Sequence, residues 1–428
     1  MPDVIVMGGG LSGLAAAAAL GSAGYRVRIL EARPFLGGRA TSYESGSETI
    51  DNCQHILLRC CVNLMDFYQR LGVLGQIRFF REFIFIEPGG RRSVMKAGSL
   101  PAPLHFTGSF LGLKFLNLAE KIAVSRALLA VPRESRRTDL DRITMRQWLD
   151  EQRQPPRAIE RFWRQILVSA VSEELENTAA AHGLQVFRLA FLATPDAYEM
   201  GVPAVPLGEL YSEEAWKKIG NVEIKLRTPI EHVEIRGGAV HCVSAGGGHF
   251  RADHYISALP FERLSAAGIP FDASEFSHAP IAGIHLWFDR PVTDLPQATL
   301  LDRTIQWIFN KSEGRYVQLV VSASNSLTGM PRADVIALAV RELAEFFPIV
   351  REAKLEKAHV VKEMRAVFSP KPGLEPHRPR AKTEIRNLFL AGDWTKTGWP
   401  ATMESAVRSG YLAAEAVTGK KYLIPDIA

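Results

Sequence analysis

The sequence predicts an α/β fold in which a parallel-sheet domain is discontinuous along the chain and an α+β domain is inserted into it. Three observations indicate this. Residues 4–7 form a short apolar strand that leads through a glycine-rich turn into an alanine-rich helix. Strand-like alternation returns at residues 222–259, and a final buried strand is predicted at residues 387–391. Because similar strands lie at the start, middle and end of the chain, we expect them to share one sheet.

The first forty residues predict a βαβ unit with a dinucleotide site. The segment from Gly8 to Gly13 fits G-x-G-x-x-G between a strand and a helix. Gly8 permits the tight turn, Gly10 lets the backbone approach a pyrophosphate, and Gly13 lets helix and strand pack closely. The helix start offers free N–H groups to the phosphates. Glu31 follows a second strand, 31 − 13 = 18 residues later, and would bind ribose hydroxyls and repel a 2′-phosphate.

A second glycine pair follows the ribose-binding carboxylate. Ala32 and Arg33 come directly after it, and Gly37, Gly38 and Arg39 follow a few residues later. A guanidinium at this position can add a positive charge to the pyrophosphate. This second glycine pair with its arginine suits a dinucleotide bound in an extended form, and a protein that binds NAD has no obvious need for it.

The C-terminal segment carries a further cofactor signature. The final strand ends in Gly392-Asp393, and another glycine-containing turn opens a helix near Ala401. Asp393 can accept a hydrogen bond from a ribityl hydroxyl. The helix start near Thr402 and Met403 can point at the N1/C2 carbonyl region of a flavin, where its dipole would stabilise the anionic reduced form.

The division of the chain follows from these segments. We expect the cofactor domain to comprise residues 1–75, 220–265 and 383–428. The inserted domain comprises residues 76–219 and 266–382, with a strongly apolar helical part at residues 100–131. That part permits two interpretations: a core helix pair, or a membrane-facing surface in which Lys114, Lys121 and Arg126 meet lipid headgroups.

Composition narrows the class of protein. The 428 residues are 47% apolar and 23% charged, which excludes a disordered chain, a collagen-like fibre and a coiled coil. The net charge of 51 − 46 = +5 permits contact with anionic lipid, and we expect no nucleic-acid partner. Four cysteines are too few for a disulfide framework and lack zinc spacing, so we expect a reducing, cytoplasmic compartment and no metal site. We expect neither a signal peptide nor a membrane span, because the apolar start lacks a basic segment and no apolar run is long enough.

The motifs together resemble the flavin-containing amine oxidase and phytoene desaturase superfamily. Within it, the chain is most similar to the hydroxysqualene dehydroxylases, the squalene-associated FAD-dependent desaturases of hopanoid biosynthesis. The segments that carry this resemblance are residues 51–55, 100–105, 378–379 and 390–410. Cys53 stands where the resemblance leads us to expect glycine.

The resemblance implies a Rossmann-like FAD-binding domain of the glutathione reductase/amine oxidase type, with an inserted substrate domain. It implies that FAD is bound by residues from every part of that domain: Gly8, Gly10, Leu11, Ser12, Gly13, Glu31, Ala32, Arg33, Gly38, Arg39, Gln54, Val233, Gly392, Asp393, Ala401, Thr402 and Met403. Val233 is included because its strand matches the segment whose backbone meets adenine.

The implied activity is an FAD-dependent reductive dehydroxylation of hydroxysqualene, a C30 isoprenoid, to squalene. The leaving hydroxyl needs a proton donor, the allylic cation needs a dry cavity, and the carbon must face the flavin N5 to receive hydride. His55, Asp51 and Asp196 are the candidate donors. The partner that reduces the flavin is unknown, and we expect peripheral contact with the inner face of the cell membrane.

Two other functions fit the same motifs. One is a carotenoid-type or phytoene-type desaturase or isomerase, which uses the flavin on a related polyisoprenoid. The other is a non-catalytic squalene carrier that retains FAD as a structural group. An amine oxidase is a weaker interpretation, because the C-terminal helix start carries Thr402-Met403 and has no cysteine nearby for a covalent flavin link.

Overall fold

The structure is a computed structural model and describes residues 1–46 and 48–427. In chain order the strands are β1 (Asp3–Met7), β2 (Arg26–Leu30), β3 (Ser42–Ser45), β4 (Glu48–Asp51), β5 (Leu57–Leu58), β6 (Ile77–Phe80), β7 (Phe83–Ile86), β8 (Arg92–Met95), β9 (Met200–Pro203), β10 (Val222–Lys225), β11 (Ile230–Arg236), β12 (Ala239–Ala245), β13 (Gly248–Phe250), β14 (His254–Ser257), β15 (His278–Phe288), β16 (Gln297–Leu300), β17 (Trp307–Ser312), β18 (Tyr316–Ser322), β19 (Leu355–Phe368) and β20 (Leu388–Leu390).

The α-helices are α1 (Leu11–Ser22), α2 (Val62–Leu71), α3 (Thr107–Leu111), α4 (Leu118–Glu134), α5 (Met145–Glu151), α6 (Pro156–Ala158), α7 (Gln165–Val171), α8 (Ala180–Val186), α9 (Glu213–Trp216), α10 (Phe261–Leu264), α11 (Arg332–Phe346) and α12 (Met403–Thr418). Two π-helical segments, Ile159–Arg164 and Phe187–Leu192, extend α6 and α8.

A five-stranded parallel sheet joins the start, middle and end of the chain. Its order is β10-β2-β1-β14-β20, so the N-terminal strand pairs with β14, and β14 pairs with the last strand. The apolar side chains of β1 and β2 are buried because helices and a second sheet cover the two faces. The predicted α/β fold with a discontinuous parallel sheet is confirmed, and the domain boundaries stay a prediction.

The helices α1 and α12 pack directly against each other on this sheet. A Cβ at Gly410 would lie 2.3 Å from the Ser12 carbonyl oxygen, so only glycine permits this approach. On the other face lies the antiparallel sheet β11-β12-β13, whose first hairpin turns at Gly237-Gly238. The close contact at Gly410 thus holds the first and last long helices of the chain side by side on one face of the parallel sheet.

The inserted part is built on a seven-stranded sheet with the order β19-β15-β18-β17-β16-β7-β8. One face is covered by α11, which packs on Ile84, Ala298 and Ile308. The other face carries Phe83, Phe85 and Trp307 and packs against the helices between residues 107 and 192. Alternation along each strand sends neighbouring residues to opposite faces.

The apolar region at residues 100–131 has a buried side and an exposed side. Phe110, Phe115 and Val124 belong to the core, whereas Leu118, Ile122 and Leu129 are 53–68% exposed. Spacings of four and seven residues place the three exposed side chains on one face of α4. Within the described residues, no helix has both the length and the apolar character that crossing a membrane requires.

Candidate active site

The turn between β1 and α1 needs its glycines. Gly8 has a φ of +111°, and a Cβ there would lie 2.9 Å from the Ala258 carbonyl oxygen. A Cβ at Gly13 would lie only 2.1 Å from the Gly8 carbonyl oxygen. Gly10 differs, because the nearest atom to its Cβ position is a Gly38 Cα at 3.9 Å. The space at the Gly10 Cβ position is therefore open.

A large cavity of about 760 Å³ lies where β1, β2, β14 and β20 end. In a parallel sheet this edge is where nucleotides bind. The predicted residues that line it come from four distant parts of the chain: Gly8, Gly10, Leu11, Ser12, Glu31, Ala32, Arg33, Gly38, Arg39, Gln54, His55, Gly392, Asp393, Ala401, Thr402 and Met403. The fold thus brings sixteen of the predicted positions to one cavity wall.

The wall carries both charges and free backbone donors. Helix α1 begins at Leu11 without a side-chain cap and without an acidic residue in its first turn, so its N–H groups can bind an anion. The buried Glu31 carboxylate accepts Gly9 N–H at 2.6 Å and Arg33 N–H at 2.7 Å. A carboxylate has about four acceptor sites, so these two bonds leave capacity for ribose hydroxyls.

Two predicted cofactor residues bind each other. Arg39 Nη2 donates to Asp393 Oδ1 at 2.6 Å across 354 residues of sequence, and Arg39 Nη1 donates to the Ala366 carbonyl oxygen at 2.9 Å. The pair joins the second glycine turn to the end of β20. Asp393 does not cap α12, because that function belongs to Thr402, whose Oγ1 accepts Ser405 N–H at 3.1 Å.

A second, apolar cavity adjoins the first. Its wall includes Phe83, Phe85, Leu189, Phe191 and Met95, and it contains little polar surface. The two cavities share a common wall, formed by Ile56, Ser169, Ala170, Trp307, Thr402 and Met403. A molecule in the apolar cavity would therefore lie beside the start of α12.

Of the three predicted proton donors, Asp51 is held as a hydrogen-bond acceptor. It is 3% exposed, and its carboxylate accepts Ser42 Oγ–H at 2.7 Å, Leu207 N–H at 2.9 Å and Lys311 Nζ at 3.4 Å. It does not line either cavity. Asp51 therefore fixes the β3–β4 hairpin to the inserted sheet and is not placed to protonate a substrate.

His55 lines the large cavity, but as a neutral imidazole. Its Nδ1 lies 3.0 Å from the Cys53 carbonyl oxygen, which can only accept, so Nδ1 carries the proton. Burial lowers the pKa of His55 below its ordinary value. Burial also raises the pKa of the neighbouring Cys53 thiol to about 12, so that thiol is protonated at neutral pH. Neither group is arranged as an acid.

Asp196, Val233 and Gly13 do not line the cavities. Asp196 is exposed to solvent and accepts Thr194 Oγ–H at 2.7 Å, so its prediction as a proton donor in the substrate cavity is wrong. Val233 is buried in the core beneath the small sheet, and the cavity is lined instead by residues 229–231, two to four positions earlier. Gly13 contributes to the site by allowing α1 to pack closely against β1 and the turn at Gly8.

Sequence reasoning missed several residues at this site. Trp307 lines both cavities and donates Nε1–H to Ser169 Oγ at 2.7 Å. Lys311 joins Asp51 to Gln54 Oε1, which lies 3.0 Å from its ammonium nitrogen. Glu404 lines the apolar cavity and accepts Leu64 N–H at 2.7 Å, so it caps α2 from another helix. Glu404 lies within residues 390–410, one of the segments that carry the family resemblance, whereas no local pattern marks Trp307 or Lys311.

The chain matches the family model for flavin containing amine oxidoreductases over residues 11–418. It therefore belongs to the flavin-containing amine oxidoreductase family and is a flavin-dependent oxidoreductase whose cofactor is FAD. The large cavity fits this cofactor. The open space at Gly10, the free N–H groups of α1 and the buried Glu31 match the pyrophosphate and ribose of a dinucleotide.

Individual relatives share the whole length of the chain at low identity. The 15-cis-phytoene desaturase of an Oncidium hybrid cultivar is 26% identical, over 97% of this chain and 77% of the relative. The probable zeta-carotene desaturase of Synechococcus elongatus is also 26% identical, over 97% and 98% of the two chains. Among solved structures, an oxidoreductase from Methanosarcina mazei has a TM-score of 0.74 at 15% identity, over 98% of this chain and 100% of that one.

Proposed function

We propose that this protein reductively dehydroxylates hydroxysqualene to squalene in squalene and hopanoid biosynthesis. The observation that carries the proposal is the apolar cavity that shares a wall with the FAD cavity through Trp307 and Met403. A cavity of this composition suits a hydrocarbon chain, and the shared wall would hold one carbon of that chain beside the flavin. The C-terminal motifs that resemble hydroxysqualene dehydroxylases support the choice of substrate.

Reduced FAD, when bound, supplies the hydride, and the residues of the chain supply the environment. The hydroxyl would take up one proton from solvent and leave as water, which breaks the C–O bond and leaves an allylic cation. The hydride would then complete the hydrocarbon, and a nucleophile that reached the cation first would trap it. The walls formed by Phe83, Phe85 and Trp307 exclude water and present aromatic faces, which attract a cation. Asp51, Asp196 and His55 are not arranged as acids, so none of them is assigned as the proton donor.

Desaturation of a polyisoprenoid is the second candidate. The curated relatives named above are phytoene and zeta-carotene desaturases, and they cover nearly the whole chain. The same apolar cavity would suit such a substrate, with the flavin in its oxidised form. A squalene carrier that retains FAD as a structural group is the third candidate.

One experiment separates the three. The holoprotein, photoreduced without oxygen, is incubated with hydroxysqualene, and products are identified by gas chromatography and mass spectrometry. We expect squalene and reoxidised flavin in equal amounts. The oxidised holoprotein is incubated in parallel with phytoene and a quinone. A conjugated polyene there, with no squalene in the first reaction, would establish the desaturase. Binding without either product would establish the carrier.

We also propose that the exposed face of α4 contacts the inner face of the cell membrane. Leu118, Ile122 and Leu129 are exposed there, and the nearby Lys121 ammonium donates to the Leu111 carbonyl oxygen at 2.6 Å, which joins α4 to α3. Exposed apolar side chains beside basic ones suit an anionic lipid surface.

Sedimentation with vesicles that contain anionic lipid tests this surface. We expect Ile122→Asp and Leu129→Asp to reduce the bound fraction severalfold, because each places a charge where an apolar side chain would enter lipid. Leu226→Asp is the matched control, because Leu226 is 38% exposed and lies in another part of the chain. Equal binding by all three variants would refute the assignment of this face.

A further inference from the structure

Thr299 lies in the wall of the apolar cavity, between two aromatic residues on neighbouring strands. It lies in β16, in register with Phe85 of β7 on one side and with Trp307 of β17 on the other. All three residues line the apolar cavity, and Trp307 also lines the FAD cavity. Thr299 is therefore one strand away from the wall that the two cavities share.

The Thr299 hydroxyl has no hydrogen-bond partner among residues 1–46 and 48–427, although the residue is only 1% exposed. Other polar side chains of the same wall are paired. Ser169 Oγ donates to the Gln165 carbonyl oxygen at 2.7 Å and accepts the Trp307 indole N–H. Gln185 Nε2 donates to the Gly398 carbonyl oxygen at 2.8 Å.

An unpaired hydroxyl in an apolar wall is unfavourable unless a ligand pairs with it. A valine would fill nearly the same space without this penalty, so steric packing does not explain the threonine. A pure hydrocarbon in the cavity would leave the hydroxyl unpaired. A ligand with one hydroxyl on an otherwise apolar chain would satisfy it. The position beside Trp307 would place the carbon that bears this hydroxyl near the shared wall.

We propose that Thr299 Oγ1 binds the hydroxyl of the substrate and makes the cavity selective for a polyisoprenoid alcohol over the corresponding hydrocarbon. This inference rests on the proposed function and adds the residue that recognises the substrate. It also favours release of the product, because the hydrocarbon that replaces the alcohol is held less tightly.

Two variants separate the hydroxyl from the shape of the side chain. Thr299→Val removes the hydroxyl and preserves the volume, and Thr299→Ser preserves the hydroxyl. Dissociation constants for hydroxysqualene and squalene are measured on each oxidised holoprotein by the change in flavin absorption, so that turnover does not enter. Flavin content and thermal unfolding establish that each variant is folded.

We expect the wild type and Thr299→Ser to bind the alcohol about tenfold more tightly than the hydrocarbon, as one buried hydrogen bond provides. We expect Thr299→Val to bind the two about equally. An unchanged preference in Thr299→Val, or no preference in the wild type, would overturn the inference. If squalene still forms from hydroxysqualene in that case, the proposed function survives. Alcohol selectivity that depends on Thr299 in a protein that forms no squalene would support the inference and refute the proposed reaction.

Discussion

The approach of α1 to β1 depends on the absence of a side chain at Gly13. A Cβ there would lie 2.1 Å from the Gly8 carbonyl oxygen and 3.1 Å from Val6 Cγ1. Cβ contacts below 3.0 Å essentially do not occur, so the start of α1 must withdraw by about 3.0 − 2.1 = 0.9 Å in Gly13→Ala. Overpacking of this kind lowers the free energy of unfolding by about 1–3 kcal/mol.

The same displacement weakens FAD binding. It moves the free N–H groups of α1 away from the pyrophosphate, and a hydrogen bond to a charged group contributes about 1.5–3 kcal/mol. We therefore expect Gly13→Ala to raise the dissociation constant of FAD by about tenfold or more. The assay titrates FAD into the flavin-free protein and follows flavin fluorescence, and urea unfolding gives the stability.

Gly108→Ala is the matched control. Gly108 lies in α3 and is exposed, and no atom of the described residues lies within 4 Å of its Cβ position. Alanine there should leave FAD binding unchanged and stabilise the protein by up to about 1 kcal/mol. If Gly13→Ala binds FAD as tightly as the wild type and unfolds at the same urea concentration, the close contact between α1 and β1 is not what this glycine provides.

Three further substitutions test the polar groups around the site. Lys311→Met should lower the free energy of unfolding at pH 7 by about 1–3 kcal/mol, because the buried Asp51 carboxylate loses its charged partner. Lys311→Arg should recover most of the lost stability. An unchanged urea midpoint in Lys311→Met would contradict this role of the lysine. Because burial lowers the pKa of His55, the advantage of the wild type over His55→Gln should be constant above about pH 6.5 and decrease as the pH falls towards the folded-state pKa. An advantage that grows on acidification would show a stabilised imidazolium. Because burial raises the pKa of Glu404, the stability of the wild type relative to Glu404→Gln should decrease as the pH rises from about 4.3 through the folded-state pKa. Urea unfolding between pH 4 and pH 8 measures both pH dependences, and a constant difference for Glu404→Gln would refute a raised pKa at Glu404.

Much of the FAD site could be predicted because its signals are local. A strand, a glycine turn and a helix follow one another at Gly8, Gly10 and Gly13, and Glu31 ends the next strand. The conformation that each needs is determined by neighbours in sequence, and the parallel pairing of β1, β14 and β20 then brings the separate segments to one edge.

The electrostatic state of each candidate donor could not be predicted in this way. Asp51 is paired with Lys311, which is 260 residues away, and Asp196 lies in an exposed turn that no local pattern distinguishes from a cavity wall. Val233 lies in a strand as predicted, but its side chain belongs to the core, and strand propensity alone does not show which side chains face the cavity.

The sequence by itself determined the class of cofactor, the βαβ unit that binds it and the apolar character of the inserted domain. Each of these follows from residue types at short spacing, which set backbone conformation and hydrophobic periodicity locally. Only the tertiary structure decided that Arg39 pairs with Asp393, that Trp307 lines both cavities, and that the Thr299 hydroxyl beside it has no partner among the described residues. These features depend on which distant side chains meet and which find no partner, and that is settled by packing between segments far apart in the chain.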